Sequence, residues 1–380
     1  MEKKERNLIV YFEKYRIKEL YYISYFLFFN LIFNINIVFS QLFKFPQSIT
    51  LLNGNIFIIH SKGIDIYDSS FSAKNETIIY SENFINDTKE LSKITISRFS
   101  VEDLGLIIST INNSIYIFDY KGKLLFIDNE TDLNGDYYTI VPFKRESYKF
   151  IYMIGFVNQT YGIDYIFYTY NYVNKSNEKS KFSIDFGYNT YYNGKNIQGK
   201  GLSCQLMSIS EENEIITCFV FFHDVYNLTL FFIDPKNYSF INSTDIEPYH
   251  LKIPKHIKVI KSLTSLDKKK SLVCYLVDGY CQFSCIIYSI INNSFSEPSE
   301  SIGYCKNDFF FNIYYMRETE QYLLLCPDYN AYVALSIYDQ NLLKIQDNII
   351  NIGNDINGVS VIYSYSKQNY FIISDSILTF

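Results

Sequence analysis

One cadence of strands returns along this chain about every 45–55 residues, and it narrows the fold more than any other feature. Each unit reads as an apolar strand, a polar turn, a strongly apolar second strand, a third strand often ending in an aromatic residue and Asp, and a fourth strand. Residues 94–128 show the whole unit: Ile94–Ser97, the turn Ser100–Asp103, Leu106–Ser109, Ile115–Asp119 and Lys123–Asp128. Between the last two lies Tyr120-Lys121-Gly122, with Gly where a turn needs positive φ. The pattern returns in Ser203–Met207, Glu211–Glu214, Ile215–Cys218 and Leu228–Asp234. It returns again in Lys258–Ile260, Asp267–Lys270, Ser271–Cys274 and Cys285–Ser289. A further copy is Asn312–Tyr315, Glu318–Glu320, Tyr322–Cys326 and Val333–Asp339, and Val361–Tyr363 with Phe371–Ser374 begins another. Residues 137–170 fit as well, and residues 48–80 fit more loosely through Ile56–His60 and Ile64–Asp68.

The second strand of each unit is an apolar run capped by a small or polar residue: His60, Ser109, Gly155, Cys218, Cys274, Cys326, Ser374. An apolar run without alternation suits a strand buried on both faces, as between neighbouring blades. Seven such units of four strands predict an all-β fold, a seven-bladed β-propeller, with tandem β-sandwiches as the alternative. The last unit ends before its fourth strand; Gln41–Pro46 can supply it and pair the two ends of the chain, or the chain is a piece of a longer one. Residues 171–200, rich in Asn, Lys, Ser, Gly and Tyr, break the cadence and read as an insertion.

The units resemble WD40, kelch and quinoprotein-type propellers in period and strand order over most of residues 41–380. The Gly-His…Trp-Asp signature is absent, as it must be in a chain without Trp, and so are the paired glycines of kelch repeats. The resemblance therefore implies an architecture and no named family.

Residues 20–39 carry no charge and follow nineteen residues of net charge +2. That length just spans a bilayer as a hydrophobic helix, and the basic flank suits the cytoplasmic side. Val38 and Ser40 stand at −3 and −1 from Gln41, so residues 1–40 are expected to be a cleaved signal peptide or a retained signal anchor, either of which makes residues 41–380 extracytoplasmic, with a buried core segment as the alternative. Two features agree with that address. Ten Asn-x-Ser/Thr sequons occur, at Asn75, Asn86, Asn112, Asn129, Asn158, Asn174, Asn227, Asn237, Asn242 and Asn292, where chance in so Asn-rich a chain gives about five. All seven cysteines fall between Cys204 and Cys326. Cys204 and Cys218 flank one hairpin, Cys274, Cys281 and Cys285 cluster, and Cys305 and Cys326 bracket another, which fits disulfides in an oxidising compartment.

The formal net charge is −6, and removal of residues 1–40 leaves 28 basic against 36 acidic side chains, or −8. That balance speaks against nucleic acid as the principal partner. The four histidines, His60, His223, His250 and His256, have no metal spacing, and no nucleophile elbow, phosphate loop or dinucleotide fingerprint is present. The most site-like segment is Asp128–Asp136, where Glu130, Asp132, Asn134 and Asp136 alternate as oxygen ligands in the manner of a Ca²⁺ loop. It lacks an acidic residue at the twelfth position, and an acidic turn carrying the Asn129 sequon describes it better. No catalytic or cofactor-binding residue is assigned. The functional expectation is a secreted or membrane-anchored, non-catalytic scaffold that binds a protein or glycan through its loops. A glycan-acting enzyme in a propeller channel and a lineage-specific structural surface protein are the alternatives.

Overall fold

The structure, a computed structural model, describes thirty strands together with residues 68, 123, 129, 132–134, 148, 162, 172–175, 212, 235–238, 265, 267–269, 290–293, 296–298, 319–320, 339 and 341–343. No helix occurs among the described residues. The strands are β1 (Ile35–Phe39), then β2 (Gln47–Thr50), β3 (Ile56–His60), β4 (Gly63–Tyr67) and β5 (Lys74–Ile79) in a first sheet. A second holds β6 (Thr95–Arg98), β7 (Leu106–Ile111), β8 (Ser114–Asp119) and β9 (Leu124–Asp128). A third holds β10 (Gly135–Glu146), β11 (Lys149–Asn158), β12 (Ile163–Asn171) and β13 (Ser176–Ile184). A two-stranded ribbon, β14 (Tyr191–Tyr192) and β15 (Lys195–Asn196), precedes the fourth sheet of β16 (Gly199–Ser210), β17 (Asn213–Phe222), β18 (Asn227–Asp234) and β19 (Ser239–Ile246). The fifth contains β20 (Ile257–Thr264), β21 (Lys270–Val277), β22 (Gln282–Ser289), β23 (Ser294–Phe295) and β24 (Ile302–Tyr304). The sixth is β25 (Asn312–Met316), β26 (Gln321–Pro327), β27 (Tyr332–Tyr338) and β28 (Lys344–Asn351); the last holds β29 (Val359–Ser364) and β30 (Asn369–Ser374) with β1.

In the first, second, third, fourth and sixth sheets successive strands pair antiparallel in sequence order as a four-stranded meander. The fifth follows the same path through β20–β23 and adds β24 beside β22, and the last joins β29 and β30 antiparallel with β1 alongside. The first strands touch one another in turn, β2 with β6, then β10, β16, β20, β25 and β29, and β29 returns to β2. The sheets thus stand around a closed ring with their first strands innermost.

The core lies between successive sheets. Ile108 and Ile117 of the second sheet pack with Tyr152, Ile154 and Tyr168 of the third. Met153 and Phe167 of the third meet Ile216, Cys218 and Val220 of the fourth. Phe219 and Phe221 of the fourth meet Val273 and Tyr275 of the fifth. Leu272 and Cys274 of the fifth meet Leu324 and Cys326 of the sixth. The second strands explain this pattern. Alternate residues of a strand point to opposite faces. Ile216, Cys218 and Val220 of β17 therefore enter the layer on one side, while Ile215, Phe219 and Phe221 enter the layer on the other. A strand between two apolar layers has no polar face to present, which is why these segments read as unbroken apolar runs.

The third strands end in an Asx turn. Asp119 Oδ1 accepts from the Lys123 amide at 2.8 Å, and Asp234 Oδ1 from the Lys236 amide at 2.8 Å. Asp339 Oδ1 accepts from the amides of Asn341 and Leu343, both at 2.8 Å, and Asn171 Oδ1 from those of Val173 and Asn174 at 3.0 and 3.1 Å. The carboxylate or amide at the strand end satisfies amides that the turn would leave open.

Two expectations change. The insertion expected over residues 171–200 is narrower: Ser176–Ile184 is the regular fourth strand of the third sheet, pairing with β12 from Asn171↔Ser176 to Ile163↔Ile184. An outer strand faces solvent, so its polar composition is that of an edge and not of a loop. The first and last described strands pair: β1 runs parallel to β30 from Ile35↔Tyr370 to Phe39↔Ser374. Residues 41–46 lie outside the described residues, as do residues 1–34 of the expected leader helix; Ile35–Phe39 is strand.

Candidate functional site

The ring of first strands brings polar side chains together that are far apart in the chain. Thr139 of β10 reaches β16: its hydroxyl accepts from the Cys204 amide at 3.2 Å. Ser203 of β16 reaches β20, where its Oγ accepts from the Ser262 amide at 2.9 Å and meets the Ser262 hydroxyl at 2.8 Å. Lys261 of β20 reaches β25, its Nζ donating to Asn312 Oδ1 at 2.5 Å. The Gln205 amide nitrogen donates to Ser271 Oγ on β21, and the Tyr322 hydroxyl to the Thr264 carbonyl at 2.7 Å. These contacts run from the third sheet to the sixth as a polar seam beside the apolar layers.

The seam residues lie on the first and second strands, and besides the Tyr322 phenol they are small hydroxyls or flexible polar chains. The seam is made of hydroxyls, amides and a single amine, groups that donate to and accept from neutral polar ligands. Lys261 differs from the rest. Burial pushes its ammonium down from 10.5 to about 8, so a sizeable share of the amine is neutral in mildly alkaline solution.

The cysteines expected to bridge do so in two described pairs. Cys204 and Cys218 stand directly opposite each other on β16 and β17, and Cys274 and Cys285 on β21 and β22; both pairs are disulfides with Cα atoms 4.1 Å apart. All four are buried. Cys326 is disulfide-bonded as well, to a cysteine outside the described residues, where Cys281 and Cys305 lie.

Of the sequon asparagines, Asn129, Asn174, Asn237, Asn242 and Asn292 are exposed. Asn158 is not: its Nδ2 donates to the buried Asp164 carboxylate at 2.7 Å, and its Oδ1 accepts from the Gly162 amide at 2.9 Å. The side chains of Asn75, Asn86, Asn112 and Asn227 lie outside the described residues.

Among the Ca²⁺-loop residues, Asp132 holds the Lys179 ammonium at 2.7 Å, Asn134 and Asp136 are exposed, and Glu130 lies outside the described residues. No group of three or more His, Cys, Asp or Glu side chains placed to hold a metal occurs among the described residues.

The sequence did not single out Thr139, Ser203, Gln205, Lys261, Ser262 or Asn312 as a group. A lone polar residue inside a strand carries no local signal, and only the packing of one sheet on the next joins them.

No protein-family model matches the chain, and no curated protein sequence matches it. Solved structures do. Hydrazine synthase of Kuenenia stuttgartiensis is similar at 9% identity, covering 90% of this chain and 98% of that one with a TM-score of 0.52. The N-terminal domain of Nup159 is 9% identical over 90% of this chain and 88% of that one, TM-score 0.46. The Dos1 propeller is 12% identical over 85% and 88%, TM-score 0.40. At such identities the likeness concerns the fold, and the chain is a β-propeller.

Proposed function

We propose that this β-propeller is a secreted or membrane-anchored, non-catalytic scaffold that binds a protein or glycan ligand through the loops on one face of the ring. The observation that carries the address is the pair of buried disulfides between directly opposed residues of neighbouring strands. Such bonds persist in oxidising compartments and are rare where glutathione keeps thiols reduced. The scaffold reading draws on the seam of hydroxyls and amides, whose chemistry suits positioning and hydrogen bonding more than proton transfer. Among the described residues no helix is long and apolar enough to cross a membrane, and residues 20–34 lie outside them.

The test is expression of the full chain in a eukaryotic secretory host. Disulfide-bonded protein in the medium or on the cell surface, which then captures a defined member of a glycan array or a cell-surface protein library, is the expected result. A fully reduced product in the cytosol overturns the address. Secreted, folded protein that captures nothing from either panel overturns the binding role and leaves the address intact.

A further inference from the structure

Three of the ten sequons occupy the same place in three consecutive sheets. Asn174-Lys175-Ser176, Asn237-Tyr238-Ser239 and Asn292-Asn293-Ser294 each lie in the turn between the third and fourth strand of the third, fourth and fifth sheets. In each, the Asn is exposed, the middle residue is left-handed (φ 51°, 58° and 45°), and the Ser is the first residue of the fourth strand.

Turn chemistry accounts for two of the three positions only. The turn at this place in the sixth sheet is one residue shorter, closing Asp339 on Leu343, and ends in the same way: Asn341 is followed by left-handed Leu342, and the strand-pairing position is Leu343, 63% exposed. The backbone therefore accepts a residue without a hydroxyl there, yet the three preceding sheets all carry Ser. That hydroxyl is the element that makes Asn-x-Ser an acceptor of oligosaccharide.

A second observation is independent of the motif. Large apolar side chains stand exposed beside these asparagines: Tyr172 and Val173 before Asn174, Phe240 and Ile241 after Asn237, and Ile291 before Asn292. A carbohydrate on each of these asparagines would cover apolar side chains that otherwise meet water. Two of these turns are anchored within their own sheets: the Tyr172 amide bonds the Tyr148 carbonyl and the Ile290 amide the Lys269 carbonyl, which places each beside the first–second strand turn of its sheet.

We propose that Asn174, Asn237 and Asn292 are N-glycosylated, giving this propeller a carbohydrate-covered rim over its third to fifth sheets, and that Asn158 is not. The proposal rests on the secretory address above. The donor is a polyprenyl-diphosphate-linked oligosaccharide. The Asn Nδ2 forms a bond to the anomeric carbon and loses one proton, the anomeric carbon–phosphate oxygen bond breaks, and the polyprenyl diphosphate leaves. One N–H remains on each modified amide, enough for Asn237 Nδ2 to keep its bond to Asp234 Oδ2 at 2.9 Å. At Asn158 the adduct would crowd Nδ2 against Asp164, whose carboxylate also takes the Ser183 hydroxyl at 2.7 Å and the Lys181 ammonium at 3.3 Å. Asn158 differs from the other three in being only partly exposed and in having both ends of its amide engaged, with Asp164 and with the Gly162 amide, so a sugar there meets a packed and bonded group.

The experiment maps glycopeptides by mass spectrometry after endoglycosidase release in ¹⁸O-water, on the full chain made in a eukaryotic secretory host. One arm keeps the native N-terminus; the other adds a heterologous signal sequence. Occupancy at Asn174, Asn237 and Asn292 and none at Asn158 is expected in both arms. Ser176→Ala, Ser239→Ala and Ser294→Ala should each remove one glycan, and Leu343→Ser, which leaves the Asn341 turn as it is, should add one. Folded, secreted protein from the signal-bearing arm with these three sites empty, or with Asn158 occupied, overturns the assignment. Occupancy in that arm alone overturns the secretory address and supports the assignment of the sites.

Discussion

Lys261 lies half-buried on β20 with its amine held against Asn312, and the energetic consequence depends on pH. Its native pKa, about 8, is below the 10.5 of the unfolded chain. Between those values the unfolded state binds more protons, so stability rises with pH across that window. The tyrosines act in the opposite sense. Burial pushes Tyr275 and Tyr288 up to about 12, and Tyr67 too, where the Asp65 carboxylate adds to the effect of burial. Their stabilisation is fully present below pH 10 and is lost as pH climbs toward 12. Urea unfolding of the native protein should therefore show a gain from pH 8 to pH 10 and a loss beyond it. Lys261→Met should abolish the gain and raise stability at pH 7 by about 2–3 kcal/mol. An unchanged rise between pH 8 and 10 in that variant would show that the amine is not desolvated.

At the level of the strands, position within the sheet sets what a side chain is worth. Phe219 on β17 is fully buried and meets Tyr288 of the next sheet edge-on at 5.7 Å. Ile349 on the outer strand β28 is 58% exposed. Phe219→Ala should lower unfolding stability by about 3–5 kcal/mol, while Ile349→Ala should fall within about 0.5 kcal/mol of the native protein. Equal losses at the two sites would contradict the layered core. The disulfides belong to this scale as well. Each clamps two directly opposed strand positions, 14 and 11 residues apart in sequence, and so fixes the register that decides which face of each strand enters which layer. The Asx turns were legible beforehand as strands ending in an aromatic and Asp, whereas β13 was not. Its Ser-Asn-Glu-Lys-Ser-Lys sequence has the polarity of a loop, because an outer strand takes its order from β12 and not from burial of its own side chains.

For the molecule as a whole, the ring closes at its last sheet. β30 pairs with β29 on one side and with β1 on the other. Cleavage before Gln41 removes β1, and the two cannot coexist. A secreted chain that begins at Gln41 should exchange the amides of Tyr370–Ser374 rapidly, because half of their pairing is gone; a chain that retains residues 35–39 should protect them. Hydrogen exchange on the purified protein, with its N-terminus sequenced, decides between the two. Protection of β30 in a chain starting at Gln41 would mean that another segment fills the place of β1.

The sequence alone determined the strand content, the repeated unit and the double burial of its second strands. Those properties reside in local alternation, in turn residues and in unbroken apolar runs, each readable within a few residues. It also marked the hairpin that Cys204 and Cys218 close. The tertiary structure alone decided that Cys274 pairs with Cys285 within its cluster, that Thr139, Ser203, Ser262, Lys261 and Asn312 form one seam, and that three sequons share a rim. Register across strands and packing between sheets set those outcomes, and both join residues whose separation along the chain leaves no periodic trace.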